Sequence, residues 1–237
     1  MDNQHRTMSQ APTMDMSLDQ GLRTFMLGIY RHMTIAIAIT GAIAFFASQS
    51  QPLMQVIYGT PLRWVVMFGP LAFVFFLSAR VYKMSPAGAR AAFYAFAAMM
   101  GLSVATIFLR FDTMLITQVF FMTSAMFGGL SLWGYTTKKD ISGWGSFLIM
   151  GVIGIIIASV VNIFVGSGAI FFAINLIGLG IFAGLTAYDT QRLKHSYYEL
   201  GGNADMAARV SIMGALSLYI NFLNMFMMLL NLLGGRD

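Results

Sequence analysis

Long uncharged apolar runs alternate along the chain with short polar segments, and that alternation sets the elements it predicts. A run of about 20 residues, rising 1.5 Å per residue as a helix, crosses the hydrocarbon core of a bilayer. The runs place a first helix at about 24–48, a second at 63–82, a third at 91–109 and a fourth at 113–137. Pro52 and Pro61 mark 49–62 as a loop, Pro86 is expected to block continuation of the second helix, and Lys138-Lys139-Asp140 stops the fourth. From Ile141 to Tyr188 there are 48 residues without a charge, too many for one span. Gly166-Ser167-Gly168 divides them into a fifth helix at about 143–165 and a sixth from about 169 onward. Gly201-Gly202 then opens a polar loop before a seventh helix at about 208–233. The expected fold class is an all-α membrane protein, a bundle of seven transmembrane helices.

Polar residues inside the last two runs are not scattered. On helix seven, Gly214, Ser217, Asn221, Asn224, Met228 and Asn231 recur at spacings of three and four and share one face. Such a face suits protein contact rather than lipid, so helix seven is expected to be central, enclosed by the other six. Helix six offers a matching seam of Asn175, Gly178, Phe182, Thr186 and Asp189. Small residues at Gly180 and Gly184, at Ala97, Gly101 and Ala105, and at Gly151, Gly154 and Ala158 suit close helix packing in lipid.

Asp189 is the first acid after the long apolar approach, and Arg192 and Lys194 follow at once. One reading puts its carboxylate at a helix end among headgroups; the other buries it between helices, where an ionisable group is a functional candidate by default. Hard cations take oxygen ligands, which Asp189, Thr186, Asn221 and Asn224 can supply, with Asp189 the one anionic metal contact. Arg80, Arg192 and Lys194 are candidate latch partners for that carboxylate. Spacing alone does not bring the two seams into register: Asp189 lies about 30 Å along a helix that enters at Ala169, and Asn221 about 20 Å into helix seven. They meet only if helix six enters the bilayer later than Ala169 and continues toward Leu200.

Composition narrows the function classes. Charged residues make up 10 % of the chain and hydrophobic ones 58 %, against the roughly 25 % charged that a soluble domain carries. The 14 Lys and Arg are spread over loops without a basic, aromatic-interleaved cluster, which argues against nucleic acid. With no cysteine there is no thiolate chemistry, and His5, His32 and His195 lack metal spacing. Proteolysis by paired aspartates needs a second carboxylate, no Gly-x-Ser-x-Gly occurs, and no lysine lies inside a late helix for a retinal Schiff base. No enzymatic activity and no cofactor are expected. Residues 1–22, polar and Met-rich, read as a disordered cytoplasmic leader ahead of a transmembrane domain over 23–237. Eleven Lys and Arg fall on the N-terminal side of the bilayer and three on the other, which predicts a cytoplasmic N-terminus and an outside C-terminus.

The stretch Gly184-Leu185-Thr186-Ala187-Tyr188-Asp189-Thr190-Gln191 resembles the sixth-helix signature of the Bax inhibitor family of membrane proteins. Residues 214–226 resemble that family's last helix, and Arg23, Tyr30 and Lys138-Lys139-Asp140-Ile141-Ser142 fit its pattern. The resemblance covers nearly all of the chain after the leader. It implies a protein of the bacterial inner membrane that forms a cation leak, with Ca²⁺ as the permeant ion and Asp189 as the gating or ion-contact residue beside helix seven. It implies, as an alternative, a non-conducting regulator bound to a membrane-anchored ATP-dependent protease. One departure bears on mechanism: pH-sensing members carry a second aspartate where this chain has Asn221. An amide does not ionise, so a proton shared between two carboxylates is not expected here.

Overall fold

The computed structural model describes residues 11–235, all helical or in short connections, with no strand among them. In chain order the helices are α1 (Ala11–Gln49), α2 (Gln51–Gly59), α3 (Leu62–Arg80), α4 (Pro86–Val104), α5 (Ile107–Arg110), α6 (Thr113–Thr136), α7 (Trp144–Val165), α8 (Gly168–Glu199) and α9 (Ala204–Gly234). Seven of them, α5 counting as a continuation of α4, are long and apolar enough to cross a membrane. Their outer faces carry exposed bulky groups such as Phe75, Phe147, Ile163 and Phe164, a surface suited to lipid rather than water.

Four boundaries differ from those expected, each for a local reason. The first helix begins at Ala11 rather than near Thr24, so the leader expected to be disordered over 1–22 is helical from Ala11; residues 1–10 lie outside the described residues. Leu22, Phe25, Met26, Ile29 and Met33 are buried at helical spacing, which continues the apolar face toward the N-terminus. The expected loop at 49–62 contains α2, started by Pro52 in its first turn and seated through buried Met54 and Ile57. Pro86 does not end a helix but opens one: it occupies the first turn of α4, and Ser85 Oγ accepts from the Gly88 amide at 3.1 Å. The third span is interrupted after Val104, where the Tyr58 hydroxyl donates to the Leu102 carbonyl at 2.7 Å and satisfies an acceptor that the broken helix releases.

The other ends follow the sequence. Asp112 caps α6 through the Met114 amide at 2.8 Å, and Ser167 caps α8 after Gly166 has turned the chain at a φ of 66°. Asn203 caps α9 through the Met206 amide at 3.0 Å.

Burial is unequal among the spans. In its most apolar stretch α9 is 56 % buried, against 33 % or less for each of the others, and it packs on α8, α1, α6 and α4. Its centre is Tyr219, fully buried, whose hydroxyl lies 2.6 Å from Thr40 Oγ1; that hydroxyl in turn donates to the Ala97 carbonyl at 2.8 Å. Thr40 on α1 is thereby tied to both α4 and α9.

Close approach of α6 to α8 depends on Gly134, where an added Cβ would run into the backbone carbonyl of Ala187. Backbone cannot move aside as a flexible side chain can. Gly134→Ala is expected to cost about 1–3 kcal/mol. The loss should appear as a melting temperature lower by roughly 3–10 °C in detergent.

Candidate ion-contact site

α8 runs ten residues past Asp189 to Glu199, about 15 Å further than a helix ending at that acid would reach. This length brings Asp189 alongside α9 and resolves the mismatch in depth. The carboxylate is buried, 5 % exposed, and both of its oxygens are engaged. Oδ2 accepts hydrogen bonds from Ser217 Oγ at 2.6 Å and from Asn221 Nδ2 at 2.9 Å. Oδ1 faces Arg192 Nη2 at 3.0 Å, one turn along the same helix. Asp189 therefore lies between helices and not at the end of one.

The seams on α8 and α9 face each other along their length. Asn231 Nδ2 donates to Asn175 Oδ1 at 3.1 Å, and a Cβ at Gly178 would collide with Met228. Thr186 turns its hydroxyl to the Phe182 carbonyl at 2.8 Å and lies 3.5 Å from Met225 Sδ, so it does not touch the carboxylate. Asn224 likewise donates to the Ile220 carbonyl at 2.8 Å. Of the four oxygen-bearing candidates, the structure joins Asp189 and Asn221 and leaves Thr186 and Asn224 apart.

Two chambers flank the site. One, of about 690 Å³, is lined by Ser78 and Tyr82 near the end of α3, by Arg192 and Glu199 on α8 and by Ser217 on α9. The other, of about 950 Å³, lies among α3, α4, α7, α8 and α9, with Ser159, Asn162, Asn175, Asn224 and Asn231 as its polar groups. Among the described residues, those that line both are Val74 on α3 and Ile220 on α9. Two apolar side chains thus belong to the walls of both a chamber with charged groups and one whose polar groups are neutral amides and a hydroxyl.

The same combination, a buried aspartate on the penultimate span held by the last one, accompanies a clear likeness to known proteins. The family model described as Inhibitor of apoptosis-promoting Bax1 matches residues 22–237. The chain belongs to that family. It is 47 % identical to an uncharacterized protein of Caulobacter vibrioides, over 94 % of this chain and 92 % of the relative. It is 38 % identical to the inner membrane protein YbhL of Escherichia coli K12, over 91 % of this chain and 93 % of YbhL. An uncharacterized protein of Rickettsia prowazekii is 37 % identical over 93 % of each chain.

In this member of the family the latch candidates separate. Only Arg192 reaches Asp189; its own side chain is 53 % exposed and also lies over the Tyr188 ring at 5.7 Å. Lys194 instead donates to the Tyr135 carbonyl at 2.9 Å, and Arg80 is exposed at the end of α3 with no ion pair among the described residues. Ser217 belongs to the expected polar seam yet gives the shortest contact to the carboxylate, a role that helical periodicity alone does not single out.

Gln191 is the residue that sequence reasoning missed. It is buried, its Oε1 accepts from the Ile141 amide at 3.0 Å, and its Nε2 donates to the Lys139 carbonyl at 2.8 Å. The connection from α6 to α7 is thereby clamped to α8 two residues beyond Asp189. The signal in the sequence was an amide side chain immediately after the apolar run, at the end of the family signature. Gln191→Ala should free this connection, with amide exchange over 138–143 faster by about tenfold, as loss of one to two hydrogen bonds at about 1 kcal/mol each implies.

Asp140 caps the same turn, accepting from the Ser142 amide at 2.8 Å, and that bond holds its carboxyl below the usual carboxylate range. A depressed value means that the cap is complete above roughly pH 4. It is lost as pH falls through the depressed value.

Proposed function

We propose that this protein is a cation leak pathway of the bacterial inner membrane, with Ca²⁺ as permeant ion and Asp189 as its anionic contact. The observation that carries the reading is the pair of chambers whose walls share Val74 and Ile220, beside the buried carboxylate of Asp189. A constriction of apolar side chains gates by excluding water, and it conducts when widened or wetted. Cations on one side encounter Arg192 and Ser217, which line that chamber and hold Asp189 behind them. On the other side Asn175, Asn224 and Asn231 offer neutral oxygens, suited to transient contact rather than tight binding.

Arg192 is the latch in this mechanism. It neutralises Asp189 while bound, and its exposed side chain releases at small cost, since partly exposed ion pairs contribute little. Arg192→Gln is therefore expected to raise Ca²⁺ entry into liposomes loaded with an indicator, by about threefold to fivefold for an exposed pair worth up to about 1 kcal/mol. An unchanged or reduced flux would remove Arg192 from the mechanism. The inner-membrane relative YbhL supports the membrane assigned, and the eleven-to-three division of Lys and Arg supports a cytoplasmic N-terminus and an outside C-terminus.

A second reading, a non-conducting regulator of a membrane-anchored ATP-dependent protease, is favoured by the full engagement of both Asp189 oxygens. Deleting residues 1–22 and measuring co-purification with such a protease distinguishes the two: loss of the protease with flux intact, or with no flux at all in the full chain, supports regulation.

A further inference from the structure

We infer that the furrow between α1 and α6 is a binding site for one anionic phospholipid, its phosphate on Arg23 and an acyl chain along the furrow. α1 and α6 each pack on α8 and α9 but not closely on one another, and the space left between them measures about 510 Å³. That volume lies within the range of small-molecule sites, which are likewise largely apolar with a few placed polar groups. Its walls are Met26 and Met33 from α1 and Phe127 and Leu132 from α6; Arg23 stands one turn before Met26 and Tyr135 closes the same end.

Charge selects the occupant. Arg23 is exposed and forms no ion pair among the described residues, while every other named wall group is uncharged. Lys194, which does not itself line the furrow, lies over the ring of the wall residue Tyr135 at 5.2 Å and adds a second positive charge near that end, with no carboxylate paired to it among the described residues. A guanidinium binds phosphate through two parallel hydrogen bonds, and basic pockets between membrane helices take anionic headgroups. A zwitterionic lipid would bring an ammonium to the same two cations.

Gly128 provides a test that does not disturb the fold. It lines the furrow, and a Cβ added there meets nothing within 4 Å, so a leucine at 128 fills the furrow without displacing protein. The experiment is native mass spectrometry of the full chain in detergent, titrated with phosphatidylglycerol and, separately, phosphatidylcholine of the same chains. The expected result is a single preferred phosphatidylglycerol adduct, weakened about fivefold by Arg23→Gln, as one basic residue near an anionic lipid implies, and retained by Arg23→Lys. Gly128→Leu should weaken both lipids alike, with melting temperature unchanged in every variant. Equal binding of the two lipids by the unaltered protein, or a phosphatidylglycerol adduct that neither Arg23→Gln nor Gly128→Leu reduces, would mean annular lipid only and overturn the assignment.

Discussion

Ca²⁺ flux into liposomes is expected to rise by about thirtyfold when Ile220 is replaced by serine. Ile220 and Val74 are the two side chains common to the walls of both chambers, and in the proposed pathway they form the hydrocarbon partition between them. Ile220→Ser removes roughly three methyl or methylene groups from that partition, at about 0.8 kcal/mol each, so wetting it becomes easier by about 2 kcal/mol. Converted to a rate, that difference is roughly thirtyfold. Ile220→Leu keeps the partition apolar and should leave the flux near that of the unaltered protein, which separates a gate from general damage to α9. A serine variant with intact melting behaviour and unaltered flux would place the conducting route elsewhere, or nowhere.

Asp189→Asn should act in the opposite sense. A carboxylate and a cation 4 Å apart attract by about 4 kcal/mol at an effective dielectric constant of 20, so removing the charge is expected to lower Ca²⁺ flux by about tenfold or more. The amide oxygen still accepts from Ser217 and Asn221, and the bundle should remain folded. Asp189→Ala differs: it leaves that hydroxyl and that amide without their acceptor, at about 1–3 kcal/mol each. Its melting temperature should fall by roughly 5–10 °C. A third substitution probes the departure from the two-aspartate pattern. Asn221 Nδ2 is 2.9 Å from Asp189 Oδ2, so Asn221→Asp sets two carboxylates at hydrogen-bond distance, where they hold a proton between them. Flux through Asn221→Asp should therefore acquire a dependence on pH, and the additional Asp189→Asn change should abolish it. If Asn221→Asp leaves the pH profile as it was, the two positions are not coupled.

The spans were legible because each apolar run is bounded by charges, glycines or prolines, and because the uncharged stretch from Ile141 to Tyr188 is twice the length that one crossing needs. What was misread was the role of individual prolines. Pro52 and Pro86 look the same in sequence whether they end one helix or begin another; the outcome is decided by the buried Met54 and Ile57 after the first and by the Ser85 cap before the second. The interruption after Val104 had no local signature, since it is stabilised by Tyr58, 44 residues earlier. At the site, periodicity set Asp189 and Asn221 each on a polar seam, the resemblance implied that they lie close, and neither could rank Arg192 above Arg80 and Lys194. That choice depends on side-chain reach: Arg192 lies one turn from Asp189, whereas Lys194, five residues away, is directed to Tyr135 on α6.

Because Arg192 belongs to the same helix as the carboxylate it covers, uncovering Asp189 requires rotation of one half-exposed side chain and no displacement of α8. Rotamer changes of that kind take picoseconds to nanoseconds, whereas parting α3 from α9 at Val74 and Ile220 is a helix motion on the microsecond to millisecond scale. Electrical recordings from single molecules should therefore show long closures set by the partition, with the exchange of Arg192 averaged into the amplitude of each opening rather than resolved as separate events.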